Sequence, residues 1–206
     1  SNITINTKTL ECDVTNTLHK ITEHFTLDLN GIYQTRNLCT VLCAEGILME
    51  KGFTIKNEQE KFALANTKKL TGLYGRWDVI NEQPTIVLDV AHNEDGIKQV
   101  IHQLSLTATA QQKHFVIGMV KDKEVDKVLS LLPTNAAYYF TNAHIPRAMP
   151  HDELKSIAAA FDLQGESFDN VNDAISSGKE KAGPDDIIVV CGSVFLVGEV
   201  NRRLND

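Results

Sequence analysis

Four short polar segments hold the residue types from which chemistry could be built. They are Asp89-Val90-Ala91-His92-Asn93, Lys121-Asp122-Lys123, Thr141-Asn142-Ala143-His144 with Arg147 just beyond, and Gly192-Ser193. A carboxylate and an imidazole three residues apart, a few cations, and a hydroxyl behind a glycine suit the positioning of an anionic ligand and the offsetting of its charge. Two familiar phosphate-binding patterns are missing. No Gly-x-Gly-x-x-Gly follows a strand-like run, which disfavours the usual dinucleotide fold, and no Gly-x-x-x-x-Gly-Lys-Ser/Thr occurs, so these residues include no P-loop.

Each segment also has a plainer reading. Asp89 could hydrogen-bond amides of its own loop, and His92 could be a surface histidine. Lys121, Asp122 and Lys123 could form a solvated turn, and Arg147 could tie down its loop. Gly192-Ser193 could be only a tight turn and a helix cap. Placement argues for function, because each segment follows an apolar, largely β-branched run. In an open parallel sheet, ligands bind beyond the carboxyl ends of the strands.

The elements that would position them follow from periodicity. Strands are predicted over 85–89, 115–120, 137–141, 165–168 and 186–191, and helices over 93–106, 124–132, 152–161, 170–181 and 195–204. The strand runs are apolar on both faces, as in a parallel sheet covered on both sides. Repeated β-α alternation implies right-handed crossovers and an α/β, Rossmann-like, doubly wound sheet. Before residue 74 the rhythm differs. Residues 25–34 open with period-2 alternation, 36–51 and 57–65 read as helices with Gly52 and Asn57 as caps, and the whole reads as a strand-helix remnant. The domain boundary is therefore placed between 73 and 74.

Charge narrows the search. The net charge of −7 lies wholly in residues 74–206, which carry 12 basic and 19 acidic side chains against 8 and 8 in residues 1–73. An acidic surface opposes a nucleic-acid backbone, so an anionic ligand would need local cations: Arg36, Arg76, Lys121, Lys123, Arg147 and nearby histidines. No run approaches the length of a membrane span. The start, Ser1-Asn2-Ile3, is no signal peptide and has the look of an excised piece. The cysteines Cys12, Cys39, Cys43 and Cys191 are too few for a disulfide scaffold. Cys39 and Cys43 read as buried free thiols in a reducing cytoplasm rather than as half of a metal site.

Tyr74-Gly75-Arg76 followed by Ile86-Val87-Leu88-Asp89-Val90-Ala91-His92-Asn93 resembles folylpolyglutamate synthase and the bifunctional dihydrofolate synthase, the folate branch of the Mur ligases. Gly31-Ile32-Tyr33-Gln34-Thr35-Arg36-Asn37 is similar to the end of that family's central ATPase domain. Met119-Val120-Lys121-Asp122-Lys123, Arg147-Ala148 and Gly192-Ser193-Val194-Phe195 fall in its order and spacing. Muramyl-peptide ligases tend to carry an aromatic where this chain has Val90. They remain the main alternative, with a non-catalytic nucleotide-binding module as the other.

The resemblance implies an ATP-dependent acid–amino-acid ligase that adds L-glutamate to dihydropteroate or folates through an acyl phosphate. Residues 1–73 would be the end of the central ATPase domain and 74–206 the C-terminal ligase domain. The P-loop, the Mg2+ ligands and most of the pteroate pocket would belong to an N-terminal ATPase portion, the partner of this chain, and the fragment alone would be inactive. ATP contacts would fall on Asn37, Arg76 and Asp89, with His92 near the phosphates as the catalytic candidate. Ser193 would lie at the glutamate end. Placement alone adds Lys123 and Arg147 there. Many members carry Tyr where this chain has Phe195, a departure that removes a hydroxyl.

Overall fold

The computed structural model describes residues 2–106, 110–121 and 124–202. The chain forms two compact units, Ser1–Arg76 and Trp77–Asp206, dividing three residues beyond the change of rhythm in the sequence.

The first unit holds more strand than its sequence suggests. β1 (Ile3–Ile5), β2 (Leu10–Asn16) and β3 (Ile21–Leu27) form an antiparallel sheet in that order. Leu10 pairs with Leu27 and Cys12 with Phe25, so one face gathers four apolar side chains. Leu38 of α1 (Gln34–Glu50) closes that small core. The opposite face is polar, with Glu11, Asp13, Thr22 and His24, and this alternation is the mark of a sheet covered on one side. The buried Asn30 amide ties the β1–β2 turn by donating to the carbonyls of Asn6 and Thr7.

Two local expectations for this unit fail. Asn57 does not cap α2 (Asn57–Ala65); it is the helix's first residue, and Lys56 occupies the cap. Its amide instead donates to Glu23 across the unit. Cys39 and Cys43 are exposed, not buried. They share α1 with the exposed Val41, Ile47, Leu48 and Met49. Gly52 does follow the helix with a left-handed φ of 94°, as a C-terminal glycine should. α3 (Thr67–Thr71) ends the unit's helices.

The second unit is the α/β sandwich its rhythm predicts. Its strands run β4 (Asp78–Glu82), β5 (Thr85–Leu88), β6 (Lys113–Ile117), β7 (Ala137–Phe140), β8 (Gly165–Ser167) and β9 (Ile187–Cys191), in the sheet order β4-β5-β9-β6-β7-β8. All neighbours are parallel except β4, which pairs antiparallel with β5 at the edge. α4 (Glu94–Leu106), α5 (Val125–Leu129) and α6 (His151–Ala158) carry the chain one way, from β5 through β6 and β7 to β8. α7 (Val171–Lys181) carries it back to β9, and α8 (Val194–Gly198) follows.

Right-handed crossovers demand that a reversal of direction puts the connecting helix on the other face. The cores obey. Ile97 of α4, Val128 of α5 and Leu154 of α6 pack with Val87, Phe115 and Val189. Ala174 and Ile175 of α7 and Leu196 of α8 pack with Ile86, Val116 and Ile188. Several elements are shorter than predicted: β6 stops before Gly118, and α5 and α8 have five residues each.

Candidate functional site

β9 lies between β5 and β6. The helices after β5 and β6 sit on one face of the sheet, and the helix after β9 sits on the other. Loops leaving adjacent strands in opposite directions open a crevice at the carboxyl edge, the usual ligand position in such sheets. The segments that begin at Asp89, Gly118, Thr141 and Gly192 all leave the sheet there.

The glycines make the edge tight. Gly192 holds a φ of 105°. Its N–H donates to Ala91 O at 2.7 Å, tying the loop after β9 to the loop after β5. A Cβ on Gly192 would stand 2.5 Å from Gly118 O, and one on Gly118 would stand 2.6 Å from Thr141 O. No real Cβ survives such distances, so three loops meet backbone to backbone only because these positions lack a side chain.

Asp89 is 4% exposed. One oxygen accepts from Ala91 N and the other from Trp77 N, each at 2.9 Å. Trp77 itself holds a left-handed φ of 53°, unusual for a bulky residue. The carboxylate thus organises its own loop and the entry to β4. His92 Nδ1 lies 3.0 Å from Val90 O. A carbonyl can only accept, so Nδ1 carries the proton, and in the neutral ring Nε2 is an acceptor. Asn93 accepts from Gly96 N at 2.8 Å and caps α4 as its sequence predicts.

Ser193 is also buried, and its Oγ accepts from Phe195 N at 3.2 Å, capping α8. Arg147 is exposed, with its guanidinium carbon 4.8 Å from the Phe195 ring centre. Lys121 N donates to Arg147 O at 3.0 Å, which joins the loop after β6 to the loop after β7. Lys123 and Asp122 lie outside the described residues. His144 is held by Glu199, which accepts from its backbone N at 2.7 Å and pairs with Nδ1 at 2.8 Å. The hydrogen bond and charge of Glu199 raise the His144 pKa above its ordinary value. Beneath the edge, burial drives the Cys191 thiol far up, so it stays protonated and inert.

The second unit therefore brings Asp89, His92, Arg147 and Ser193 to one sheet edge. Asn37 and Arg76 belong to the first unit. Asn37 is exposed on α1 and donates to Gln34 Oε1 at 2.7 Å. Arg76 is half-buried and reaches Gly75 O at 3.3 Å. Among the described residues, no group of three or more His, Cys, Asp or Glu comes together as a metal site, and no helix is long and apolar enough to cross a membrane. The sequence reading gave Phe195 no role beyond its missing hydroxyl. The available signal was an aromatic at an exposed helical position beside two buried aliphatics.

Comparison with known proteins places this geometry. Residues 75–194 match the model of the Mur ligase, glutamate ligase domain. The Bacillus subtilis dihydrofolate synthase/folylpolyglutamate synthase is 26% identical over 191 residues, covering 91% of this chain and 43% of that protein. The Yersinia pestis bifunctional folylpolyglutamate synthase/dihydrofolate synthase, solved with AMPPNP and Mn ion, superimposes with a TM-score of 0.63 at 26% identity, covering 75% of this chain and 36% of the other. The Mycobacterium tuberculosis folylpolyglutamate synthase, at 20% identity, shares the fold with a TM-score of 0.76 over 97% of this chain and 46% of its own. The chain thus spans less than half the length of these relatives. With the match running through both the Asp89 and Gly192 loops, the chain belongs to the Mur ligase family by its glutamate ligase domain.

Proposed function

We propose that this chain is the C-terminal part of an ATP-dependent ligase that joins L-glutamate to dihydropteroate or folates. The observation that carries the reading is the glutamate ligase domain match over residues 75–194, whose span holds Asp89, His92 and Arg147 and reaches Ser193 on one sheet edge. ATP converts a substrate carboxylate to an acyl phosphate, which the amine of glutamate attacks with loss of phosphate. The protein's part is to position the reactants, offset phosphate charge and keep water away.

Within that scheme the residues divide the work. Asn37 and Arg76 contact ATP, and Arg76 supplies a fixed cation. Asp89 holds the loop on which His92 sits and joins Asn37 and Arg76 as an ATP contact. His92 serves at the phosphates, with Nδ1 committed to Val90 O and Nε2 turned to the ligand. Ser193, Lys123 and Arg147 receive the glutamate.

Residues 1–73 form the end of a central ATPase domain, and 74–206 the ligase domain. The P-loop and the Mg2+ ligands belong to the N-terminal ATPase portion, which is this chain's own partner in the full-length protein. The outward Val41, Ile47, Leu48 and Met49 of α1 suit packing against that portion. Four unpaired cysteines fit a cytoplasmic protein.

The test compares the full-length protein with residues 1–206 in Mg2+, ATP, glutamate and dihydropteroate. Glutamate addition is expected from the full-length protein and not from the 206-residue chain. A full-length protein that extends a muramyl peptide, or that releases no ADP with any pteroate or folate, would overturn the reading.

A further inference from the structure

The loop between β7 and α6 is held at the sheet edge by a carboxylate that follows α8. Glu199 caps that helix, its N–H donating to Leu196 O at 3.1 Å. Asn172, in the first turn of α7, brackets it: Nδ2 donates to Glu199 O at 3.1 Å, and Oδ1 accepts from Asn201 N at 2.7 Å. From this fixed position the Glu199 carboxylate takes the loop with both oxygens. Oε1 accepts from His144 N at 2.7 Å, and Oε2 lies 2.8 Å from His144 Nδ1. Asp169, just before α7, faces the other side of the ring, with Oδ2 4.0 Å from Nε2. Those two carboxylates are the charged groups that α8 and α7 turn toward the ring. An imidazolium fits between them, because both of its nitrogens donate. A neutral ring can keep the Nδ1–H bond to Glu199, but it then turns a lone pair toward Asp169.

From this geometry we infer that Glu199 is a positioning residue for the amino-acid side of the site, and that its grip on the loop through His144 is operated by pH. The grip acts on the backbone three residues before Arg147, so it does not depend on what the guanidinium itself bonds. The inference rests on the reading of this loop as part of the glutamate site. The hydrogen bond and charge of Glu199, and then the charge of Asp169, hold the His144 pKa above its ordinary 6.5. A raised folded pKa means that the gripped loop is fully favoured below pH 6.5 and loses that support as pH rises through the folded value. Ion pairs this exposed are weak singly, so the release should read as a change of about two- to fivefold.

Two measurements test it. Ring NMR of the 206-residue chain, with the His144 signal identified by its loss in His144→Gln, should give a raised pKa. In Glu199→Gln that pKa should fall back, because an amide N–H beside Nδ1 favours the neutral ring. In the full-length ligase the KM for glutamate should rise about two- to fivefold more from pH 6 to pH 8.5 in the wild type than in Glu199→Gln or His144→Gln. The variants share the ionisation of the substrate amine, so only the difference counts, and the KM for ATP should follow one course in all three. An ordinary His144 pKa, or one that Glu199→Gln leaves in place, overturns the inference, as does a difference that falls equally on ATP. If Arg147→Ala raises the glutamate KM while wild type and variants share one pH profile, the inference alone fails. If Arg147→Ala is itself silent, the reading of this loop as the glutamate site fails and the inference falls with it.

Discussion

Both oxygens of Asp89 receive backbone amides in a buried setting, which makes this carboxylate a part of the loop before it is a part of any ligand site. Of the two readings weighed from sequence, the one in which Asp89 bonds amides of its own loop is what the geometry holds. Asp89→Asn keeps the shape but turns an N–H donor toward one of two amide donors. Leaving such a group unpaired costs about 1–3 kcal/mol, so the free energy of urea unfolding of the chain should fall by that amount, read as a lower midpoint at unchanged slope. An Asp89→Asn chain as stable as the wild type would mean that Trp77 N and Ala91 N find other acceptors. Arg76 is a different case, because its described bond to Gly75 O is long at 3.3 Å. In the full-length enzyme Arg76→Ala should weaken the apparent ATP constant or turnover roughly ten- to hundredfold, the worth of a hydrogen bond to a charged group. Unchanged kinetics with ATP would remove Arg76 from the site.

Among the elements, α2 carries a carboxyl whose state depends on pH. Burial of Glu60, and then its hydrogen bond with Glu45 of α1, raises its pKa to about 7. One of two carboxyls sharing a hydrogen bond must hold the proton. A folded pKa above the ordinary 4.5 gives stability that is complete below pH 4.5 and lost as pH rises through about 7. In the full-length protein the first unit should therefore melt lower at pH 8 than at pH 5, its stability falling by an amount on the order of 1–2 kcal/mol once solvent screening is allowed for. Glu60→Gln, neutral throughout, should flatten that dependence, and a melt equally pH-dependent in the variant would place the titration elsewhere.

The same unit shows where sequence reading stops. The parallel strands β5, β6, β7 and β9 of the second unit were legible because each is a short, largely apolar run. β1 and β2 were not, and β3 only at its end, where the alternation of Phe25 and Leu27 reads as a strand, because a sheet covered on one side spaces its apolar residues two apart among Glu, Asp, Thr and His. β4 was missed as an antiparallel edge strand with Asp78, Asn81 and Glu82 in it. The carboxyl-edge loops were legible from strand ends alone. The pairing of Arg147 with Phe195 was not, since it joins residues 48 apart and depends on the sheet order that puts β9 beside β6.

For the whole molecule, the two units differ in what they can bury. The second has a core on each face of a six-stranded sheet, with Trp77 at its first residue already inside. Among the described residues, the first gathers only Leu10, Cys12, Phe25, Leu27 and Leu38 as buried apolar side chains. It leaves Phe53, Phe62 and Leu70 more than half exposed, along with the outward residues of α1. A domain of this size sits near the limit at which burial offsets chain entropy, and a small core with apolar surface left open falls below it. Residues 77–206 expressed alone should thus fold cooperatively, with slow amide exchange in β5, β6, β7 and β9. Residues 1–76 alone should show no cooperative thermal transition. The measurement is a pair of melts followed by circular dichroism, with hydrogen exchange on the larger piece. If residues 1–76 melt cooperatively, five buried side chains suffice, and the exposed faces of α1 and α2 are ordinary surface rather than the ground for a partner.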